Sequence, residues 1–353
     1  MLRVRDAVAV LSVGLLSLGG PAHAWDRGRV HTFAVLPPGS SGPEGLEVGP
    51  GGRVYVAGFG FTSAGSATGE GQLTVFDEHG RLVRQVSVHP SSPHLLGLRF
   101  HPHSGALLVI DFGAGQVLTV DPKTGAAQPF LTLPATLPHP GGSGLNDITF
   151  DHAGNVYVSD SSQGIVWKTP PGGGVATVWI DDPLLRTAGV PPFGANGLRF
   201  NRAETALFVA NTGDDTVLKI PVVGSNPGGP AQVFAQSLNG ADGMLIDDRD
   251  NVWVVENQSD DIVILDPSGK AIAKLGDFGG AVRKGSPVGL LFPASIRFSG
   301  HKLLVTNLSL DLRLFNPAFT TLDSAWCAEV SRYTISEISL DRDDDDHQGG
   351  NED

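Results

Sequence analysis

One sequence pattern recurs six times along this chain and constrains its fold more than any other feature. Each copy is a short apolar strand, a turn rich in Gly, Asp or Asn, and a second apolar strand. The copies are marked by Gly45, Gly97, Asp147, Gly197, Gly243 and Ser295, at spacings of 46 to 52 residues. Spacings near 50 residues are typical of β-propeller blades, which surround a central channel. The sequence therefore predicts an all-β, six-bladed β-propeller with four-stranded blades.

A ring of blades must be closed, and the two ends of the repeat region suggest how. One strand-like segment, residues 31–36, precedes the first copy, and another, residues 333–340, follows the last. We expect both segments to lie in one blade, which would cover the sheet edges that an open ring exposes. The predicted propeller occupies residues 25–340.

The chain outside the repeats has two distinct segments. Residues 1–24 have basic Arg3 and Arg5, an apolar stretch, and Ala22-His-Ala24 as a cleavage motif, so they predict a signal peptide and export to the periplasm or the exterior. The alternative, an uncleaved membrane anchor, is disfavoured because the apolar stretch is shorter than the roughly 20 residues that span a bilayer. Residues 341–353 are acidic and are predicted to form a disordered, solvating tail.

Charge and cysteine content restrict the partners and the redox chemistry. The formal net charge of −13 disfavours nucleic acid and anionic membranes as partners, which leaves a small molecule as the expected one. Cys327 is the only cysteine, so no intrachain disulfide is possible. We expect Cys327 to be a buried apolar residue rather than a reactive thiol.

Oxygen donors recur at one position of the repeat, directly before the marker residue. The six residues at that position are Glu44, Leu96, Asn146, Asn196, Asp242 and Ala294. The first strand of each propeller blade lines the channel, so these side chains should converge near the axis. Carboxylates and carboxamides without His or Cys favour a hard divalent cation, calcium before magnesium. The alternative is that they only cap the strand starts by bonding to loop amides.

The same residues carry a resemblance to a known family. Pro43-Glu44-Gly45, Leu145-Asn-Asp147, Ala195-Asn-Gly197 and Ala241-Asp-Gly243 resemble the senescence-marker-protein/gluconolactonase (regucalcin-like) family and, more distantly, the paraoxonases. Both groups are six-bladed propellers with an axial calcium. The resemblance implies that Glu44, Asn196 and Asp242 are metal ligands, and that Asn146 is a ligand or a substrate contact.

The chain also departs from both groups. Gly144 stands where regucalcin-like sugar lactonases have a substrate-binding Arg, and Leu96 stands where paraoxonases have a catalytic His, with His94 nearby but displaced. For the second, structural calcium of paraoxonases, Asp147 is a partial match and Gly45 a mismatch. The resemblance therefore implies a metal site but no particular substrate.

Loops that enter the first strands are candidates for the substrate rim. Residues 133–144 and 181–194 are long and rich in Gly and Pro, and Phe193 would form an apolar wall for the substrate, although both could be plain connections. Residues 59–71 are predicted to form a flexible hairpin insertion. Asn257 begins an Asn-x-Ser glycosylation pattern.

These observations predict an exported hydrolase of a lactone or related ester that depends on a divalent cation. Asp242 is the candidate catalytic residue, positioning or deprotonating the attacking water, while Glu44, Asn146 and Asn196 orient metal and substrate. The alternative is a non-catalytic propeller that binds a ligand or partner around a structural cation. A lyase on the same scaffold is a third candidate.

Overall fold

Six small β-sheets surround a central channel, which confirms the six-bladed propeller with four-stranded blades. A computed structural model describes residues 27–340. The predicted signal peptide and acidic tail lie outside the described residues. Within 27–340, no helix is long and apolar enough to cross a membrane.

Each of the first three blades is one antiparallel sheet whose strands run in chain order from the channel outwards. In blade one the strands are Pro43–Val48, Val54–Gly58, Gln72–Phe76 and Leu82–Ser87; in blade two, Leu95–Phe100, Leu107–Asp111, Gln116–Val120 and Ala127–Thr132; in blade three, Leu145–Phe150, Val156–Asp160, Ile165–Thr169 and Thr177–Asp181. The two-residue strand Gly174–Val175 adds a parallel edge to blade two.

The last three blades follow the same plan, except that blade six takes its outermost strand from the start of the chain. In blade four the strands are Ala195–Phe200, Ala206–Asn211, Thr216–Val223 and Gln232–Gln236; in blade five, Ala241–Ile246, Val252–Glu256, Asp261–Leu265 and Ala271–Leu275; in blade six, Pro293–Ser299, Lys302–Asn307, Thr334–Ser339 and Val30–Val35. Asn226–Pro227 folds back onto the end of Thr216–Val223.

The ring is closed by the two ends of the described chain. Val30–Val35 pairs antiparallel with Thr334–Ser339, from Val30 opposite Ile338 to Val35 opposite Thr334. Ala34 and Leu36 bury their side chains in the main apolar core. The predicted sharing of one blade by both ends is confirmed.

The apolar core lies between neighbouring blades, where two sheet faces pack together. Leu198 of blade four, for example, shares a buried cluster with Trp179 of blade three. At four of the six marker positions the first strands approach each other so closely that only glycine fits. A Cβ atom on Gly45 would lie 2.2 Å from the Leu96 carbonyl oxygen, and one on Gly197 would lie 2.4 Å from that of Asp242. Glycine at the marker position therefore allows the tight ring.

Several insertions lie between the strands of the blades. Phe61–Thr62 pairs with Gly65–Ser66, and Phe278–Arg283 pairs with Ser286–Gly289. The largest insertion, residues 308–333 of blade six, contains the 3₁₀ turn Leu312–Leu314 and the short helix Ser324–Cys327. Two further 3₁₀ turns are Pro50–Gly52 and Pro183–Leu185. Cys327 is buried, as expected, and burial raises the pKa of its thiol.

A pair of buried carboxyl groups joins the blade-six insertion to blade five. Asp260 accepts a 2.7 Å hydrogen bond from the Phe292 amide, and it shares a hydrogen bond with Asp323, directly before the short helix. Burial, and then the charge of Asp323, raise the pKa of Asp260 to about 8. The contact is therefore stable while the pair retains a proton.

Disrupting the closing strand should destabilise the whole ring. Deleting residues 25–36 exposes the edge of Thr334–Ser339 and removes two core side chains. We expect one cooperative unfolding transition whose Tm is lower by roughly 10 °C or more, as for a loss of several kcal/mol. Ala34→Asp should also lower Tm, whereas Thr32→Asp, on the exposed side of the same strand, should not. An unchanged melting temperature after the deletion would contradict this role.

The Asp260–Asp323 pair predicts a pH-dependent stability. Because the folded pKa of Asp260 is raised above its unfolded value near 4, its contribution is complete below that value and is lost as pH rises towards about 8. In Asp323→Asn the amide can donate to an ionised Asp260, so Tm should fall less between pH 6 and pH 9 than in the parent. Asp266→Asn, in an exposed turn where hydrogen bonds lower the pKa, is the control. Equal slopes in Asp323→Asn and parent would refute the assignment.

Candidate functional site

A β-bulge places the repeated donor position at the channel. In blade three, Leu145 pairs with Asp160 and Ile148 pairs with Val158, so the first strand has one residue too many for regular pairing. The same register shift occurs in all six blades, across the donor and marker residues. A bulge re-aims side chains locally. It therefore explains why residues of one repeat position converge.

In five of the six blades, a buried polar residue at the end of the second strand fixes the loop that enters the bulge. Asp160 accepts a 2.8 Å hydrogen bond from the Gly144 amide, and Asn211 donates to the carbonyl oxygens of Leu184 and Arg186. In blades two, five and six the corresponding residues also bind their own loops, and they are Asp111, Glu256 and Asn307. In blade one the position is Gly58, which has no side chain. These hydrogen bonds thus fix the backbone that carries the candidate metal ligands.

The four predicted polar residues line one cavity of about 20 Å³ at the axis, together with Phe193. Glu44, Asn146, Asn196 and Asp242 are each at most 5% exposed. A water molecule needs roughly 10–15 Å³ of such space. The cavity therefore has room for a monatomic ion or about one water molecule between these side chains.

Acceptor oxygens in this cavity lack hydrogen-bond partners. Within the described residues, Glu44 Oε2, Asn146 Oδ1 and Asn257 Oδ1 are buried atoms without a partner. Asn196 Nδ2 donates to Thr212 Oγ1 at 2.9 Å, and Asn257 Nδ2 donates to Asp242 Oδ2 at 3.1 Å. Buried acceptors without donors are costly unless something positively charged satisfies them.

The two carboxyl groups of the cavity hold protons more tightly than usual. Burial raises the pKa of Glu44, and the nearby charges of Asp242 and Asp147 raise it further. Burial also raises the pKa of Asp242 to about 7, although hydrogen bonds from Asn257 and Asn196 oppose the shift. Both carboxylates would be stabilised in their charged form by a cation between them.

These residues suit a divalent cation because of the kind of oxygen ligands they offer, although only two of them are carboxylates. Within 27–340, no group of three or more His, Cys, Asp or Glu side chains could hold a metal ion. The cavity instead combines two carboxylates with three carboxamides, an oxygen-only set that suits calcium. The charge of −2 matches a divalent ion.

Asn257 is the residue of this set that the sequence reasoning missed. It follows the second strand of blade five, and its side chain is 2% exposed and bonded to Asp242. Such burial is incompatible with glycosylation. Its position in the repeat could have identified Asn257, because the residue after the second strand also reaches the cavity in blades one and six, as Phe59 and Leu308.

Apolar residues cover the cavity, and half of them come from segments for which the sequence made no prediction. Loop 181–194 contributes Pro191 and Phe193, but loop 133–144 contributes none of the cavity lining within the described chain. The blade-six insertion supplies Leu308, Leu310 and Leu312, which the sequence analysis did not anticipate. The hairpin in residues 59–71 does form, with Phe59 as part of the lining.

His94 lies beside this roof and not at the cavity floor. Its ring stacks on Phe61 with centroids 4.8 Å apart, and its Nδ1 donates to the Phe59 carbonyl oxygen. It is not among the described residues that line the cavity. Its contacts are those of a support for the aromatic roof.

Below the cavity, a buried ion-pair cluster crosses the channel. Arg199 binds Asp147 at 2.6 Å, and Glu47 lies 3.3 Å from Arg297 and 3.7 Å from Arg99. Burial raises the pKa of Asp147, but the guanidinium groups of Arg199, Arg99 and Arg297 outweigh it and hold that pKa below its usual value. Because Arg199 occupies the Asp147 carboxylate, this level of the channel does not offer it to a second cation.

Comparisons with solved structures support the architecture. The chain is similar to a luciferin-regenerating enzyme, with 15% identity, a TM-score of 0.59, and coverage of 88% of this chain and 95% of that chain. It is also similar to regucalcin from Agrobacterium tumefaciens, a calcium-binding protein (17% identity, TM-score 0.59, 87% and 93% coverage). A gluconolactonase from Xanthomonas campestris gives 13% identity, a TM-score of 0.57, and 90% and 91% coverage. At these identities the likeness shows the fold alone.

Sequence comparison supplies the family. No curated protein sequence matches the chain. The model of the SMP-30/gluconolactonase/LRE-like region matches residues 93–276, just over half of the chain. The chain therefore belongs to the SMP-30/gluconolactonase/LRE-like family.

Proposed function

We propose that this protein is an exported hydrolase of a lactone or related ester that depends on a divalent cation, with calcium as the first candidate. The family supports a lactonase-type function and a small-molecule substrate. The observation that carries the cation is the set of partnerless acceptor oxygens of Glu44, Asn146 and Asn257, which face a buried cavity beside Asp242. Export rests on the signal-peptide pattern of residues 1–24.

The residues of the cavity floor have different proposed roles. A divalent cation held by these side chains would polarise the ester carbonyl and offset the charge that develops on its oxygen. Glu44 contributes negative charge, while Asn146, Asn196 and Asn257 contribute neutral oxygens that hold the cation and orient the ester.

Asp242 is the proposed base. Asn257 donates a hydrogen bond to Oδ2 of Asp242 and so orients the carboxylate that would accept a proton from the attacking water. A bound cation would keep Asp242 ionised, which is the form that can accept a proton.

A non-catalytic propeller with a structural cation is the second candidate. The observation that favours it is the cavity volume of about 20 Å³, which holds an ion but no substrate while the roof is closed. A streptogramin B lyase has a similar fold, with 17% identity and a TM-score of 0.53. At this identity the likeness shows the fold and not the reaction.

Replacing the proposed base should remove hydrolysis without removing the fold. Asp242→Asn preserves shape but cannot accept the proton, so we expect kcat for lactone and aryl-ester hydrolysis to fall about 10²–10⁴-fold. The assay uses the mature protein with chelator and with added calcium, magnesium, manganese or zinc. Asp247→Asn, at the far end of the same blade, is the control and should leave kcat unchanged. Full activity in Asp242→Asn, or in chelator, would contradict the proposal.

Asn257 should contribute to cation affinity. Asn257→Ala removes one oxygen and frees Asp242 from its hydrogen bond, so the calcium Kd should rise about 10–100-fold. Titration calorimetry measures the Kd, and the calcium-induced rise in Tm should shrink in parallel. Asn251→Ala, which loses a side-chain hydrogen bond to Asp247 in a turn of the same blade, is the matched control. Equal affinities in Asn257→Ala and parent would exclude Asn257 from the site.

A further inference from the structure

The cavity has two chemically distinct ends. Its floor carries the acidic and carboxamide side chains, and the rest of its lining is apolar. The apolar part includes Phe59, Phe193, Phe292, Leu308, Leu310 and Leu312. Among the described residues that line it, none is Arg, Lys, His, Ser or Thr.

Aromatic rings from three separate segments interlock over the floor. The ring of Phe61 lies 4.9 Å from that of Phe59 and 4.8 Å from that of Phe315, measured between centroids. Phe315 in turn meets Phe193 edge-on at 5.9 Å. Phe315 is 37% exposed and Phe193 is half-buried, so these two rings form the outer boundary of the roof.

Two hydrogen-bond donors of the floor are already engaged. Asn257 Nδ2 donates to Asp242, and Asn196 Nδ2 donates to Thr212. The partnerless acceptor oxygens of the floor face the proposed cation, so the hydroxyl groups of a sugar lactone that lie above the floor would lose water without gaining a partner among the apolar walls. An alkyl or aryl group gains free energy in the same place because it leaves water for an apolar surface.

We propose that the substrate is a lactone or ester bearing an alkyl or aryl group, and not a polyhydroxylated sugar lactone. The inference rests on the proposed hydrolase function for its reaction, but on the cavity walls for its specificity. The carbonyl group lies at the polar floor, and the apolar group lies among Phe59, Phe193 and Phe315. Since the cavity is small, entry of the substrate requires the outer rings of Phe193 and Phe315 to move aside.

The test compares substrates on the calcium-supplemented mature protein. We expect kcat/KM for a γ-lactone with a long alkyl chain, and for phenyl acetate, to exceed that for glucono-δ-lactone by about 100-fold or more, in the range that hydrophobic pockets reach. A preference for glucono-δ-lactone would overturn the specificity and leave the hydrolase function intact.

Two variants of one residue separate polarity from size. Leu and Asn have the same number and branching of heavy atoms, so Phe193→Leu and Phe193→Asn both shorten the side chain to the same length. Phe193→Leu should keep the preference for the alkyl lactone, and Phe193→Asn should reduce that preference about tenfold. Ile272→Ala, an exposed apolar residue on the outer strand of blade five, is the remote control. Equal preferences in the Leu and Asn variants would contradict the assignment of this wall.

Binding separates failure of the inference from failure of the proposed function. If neither lactone is hydrolysed, the hydrolase proposal fails, and calorimetry with lactams, which resist hydrolysis, still tests the cavity. Tighter binding of an alkyl lactam than of a polyhydroxylated lactam, weakened in Phe193→Asn but not in Phe193→Leu, would support the inference. No binding of the alkyl lactam, or tighter binding of the polyhydroxylated one, would overturn it.

Discussion

The site depends on a buried hydrogen bond that is repeated around the ring. At the end of the second strand, a fully buried carboxylate or carboxamide such as Asp160 or Asn211 binds the backbone of the loop that enters the same blade. The loop backbone would otherwise be buried without partners near the channel. With it fixed, the β-bulge that follows points the donor residue at the axis. Local contacts within each blade thereby set the positions of ligand candidates that lie 46 to 198 residues apart in sequence.

The channel is electrostatically divided along its length. Glu44 and Asp242 lie at one level with partnerless carboxamide oxygens, and one level below, Asp147 and Glu47 are matched by three arginines. Burying unpaired carboxylates is unfavourable, and the raised pKa values of Glu44 and Asp242 are the consequence. Arginines pair both carboxylates of the lower cluster, whereas the carboxylates of the upper level require a proton or a cation. This difference is why a single cation is proposed, at the upper level.

The sequence predicted the parts of this structure that repeat. The spacing of the marker residues indicated six blades, and the equivalence of Glu44, Asn146, Asn196 and Asp242 brought them to one place, because equivalent residues of a closed ring share one height along the axis. The roof was not predictable in this way. Leu308 to Leu312 and Phe315 belong to an insertion found in one blade, whose position depends on contacts such as Asp260 with Asp323 and not on a period. Asn257 was overlooked because its repeat position carries unlike residues in the other blades, so composition did not mark it.

The most direct test of the central claim is a crystal structure grown in calcium, with anomalous differences measured at a long wavelength. We expect one strong peak in the axial cavity, about 2.3–2.6 Å from oxygens of Glu44, Asn146, Asn196, Asp242 and Asn257, as for calcium with oxygen ligands. We expect no peak at the level of Asp147 and Arg199. A cavity without a peak at saturating calcium, with the carboxyl groups bonded only to water or to each other, would contradict that claim.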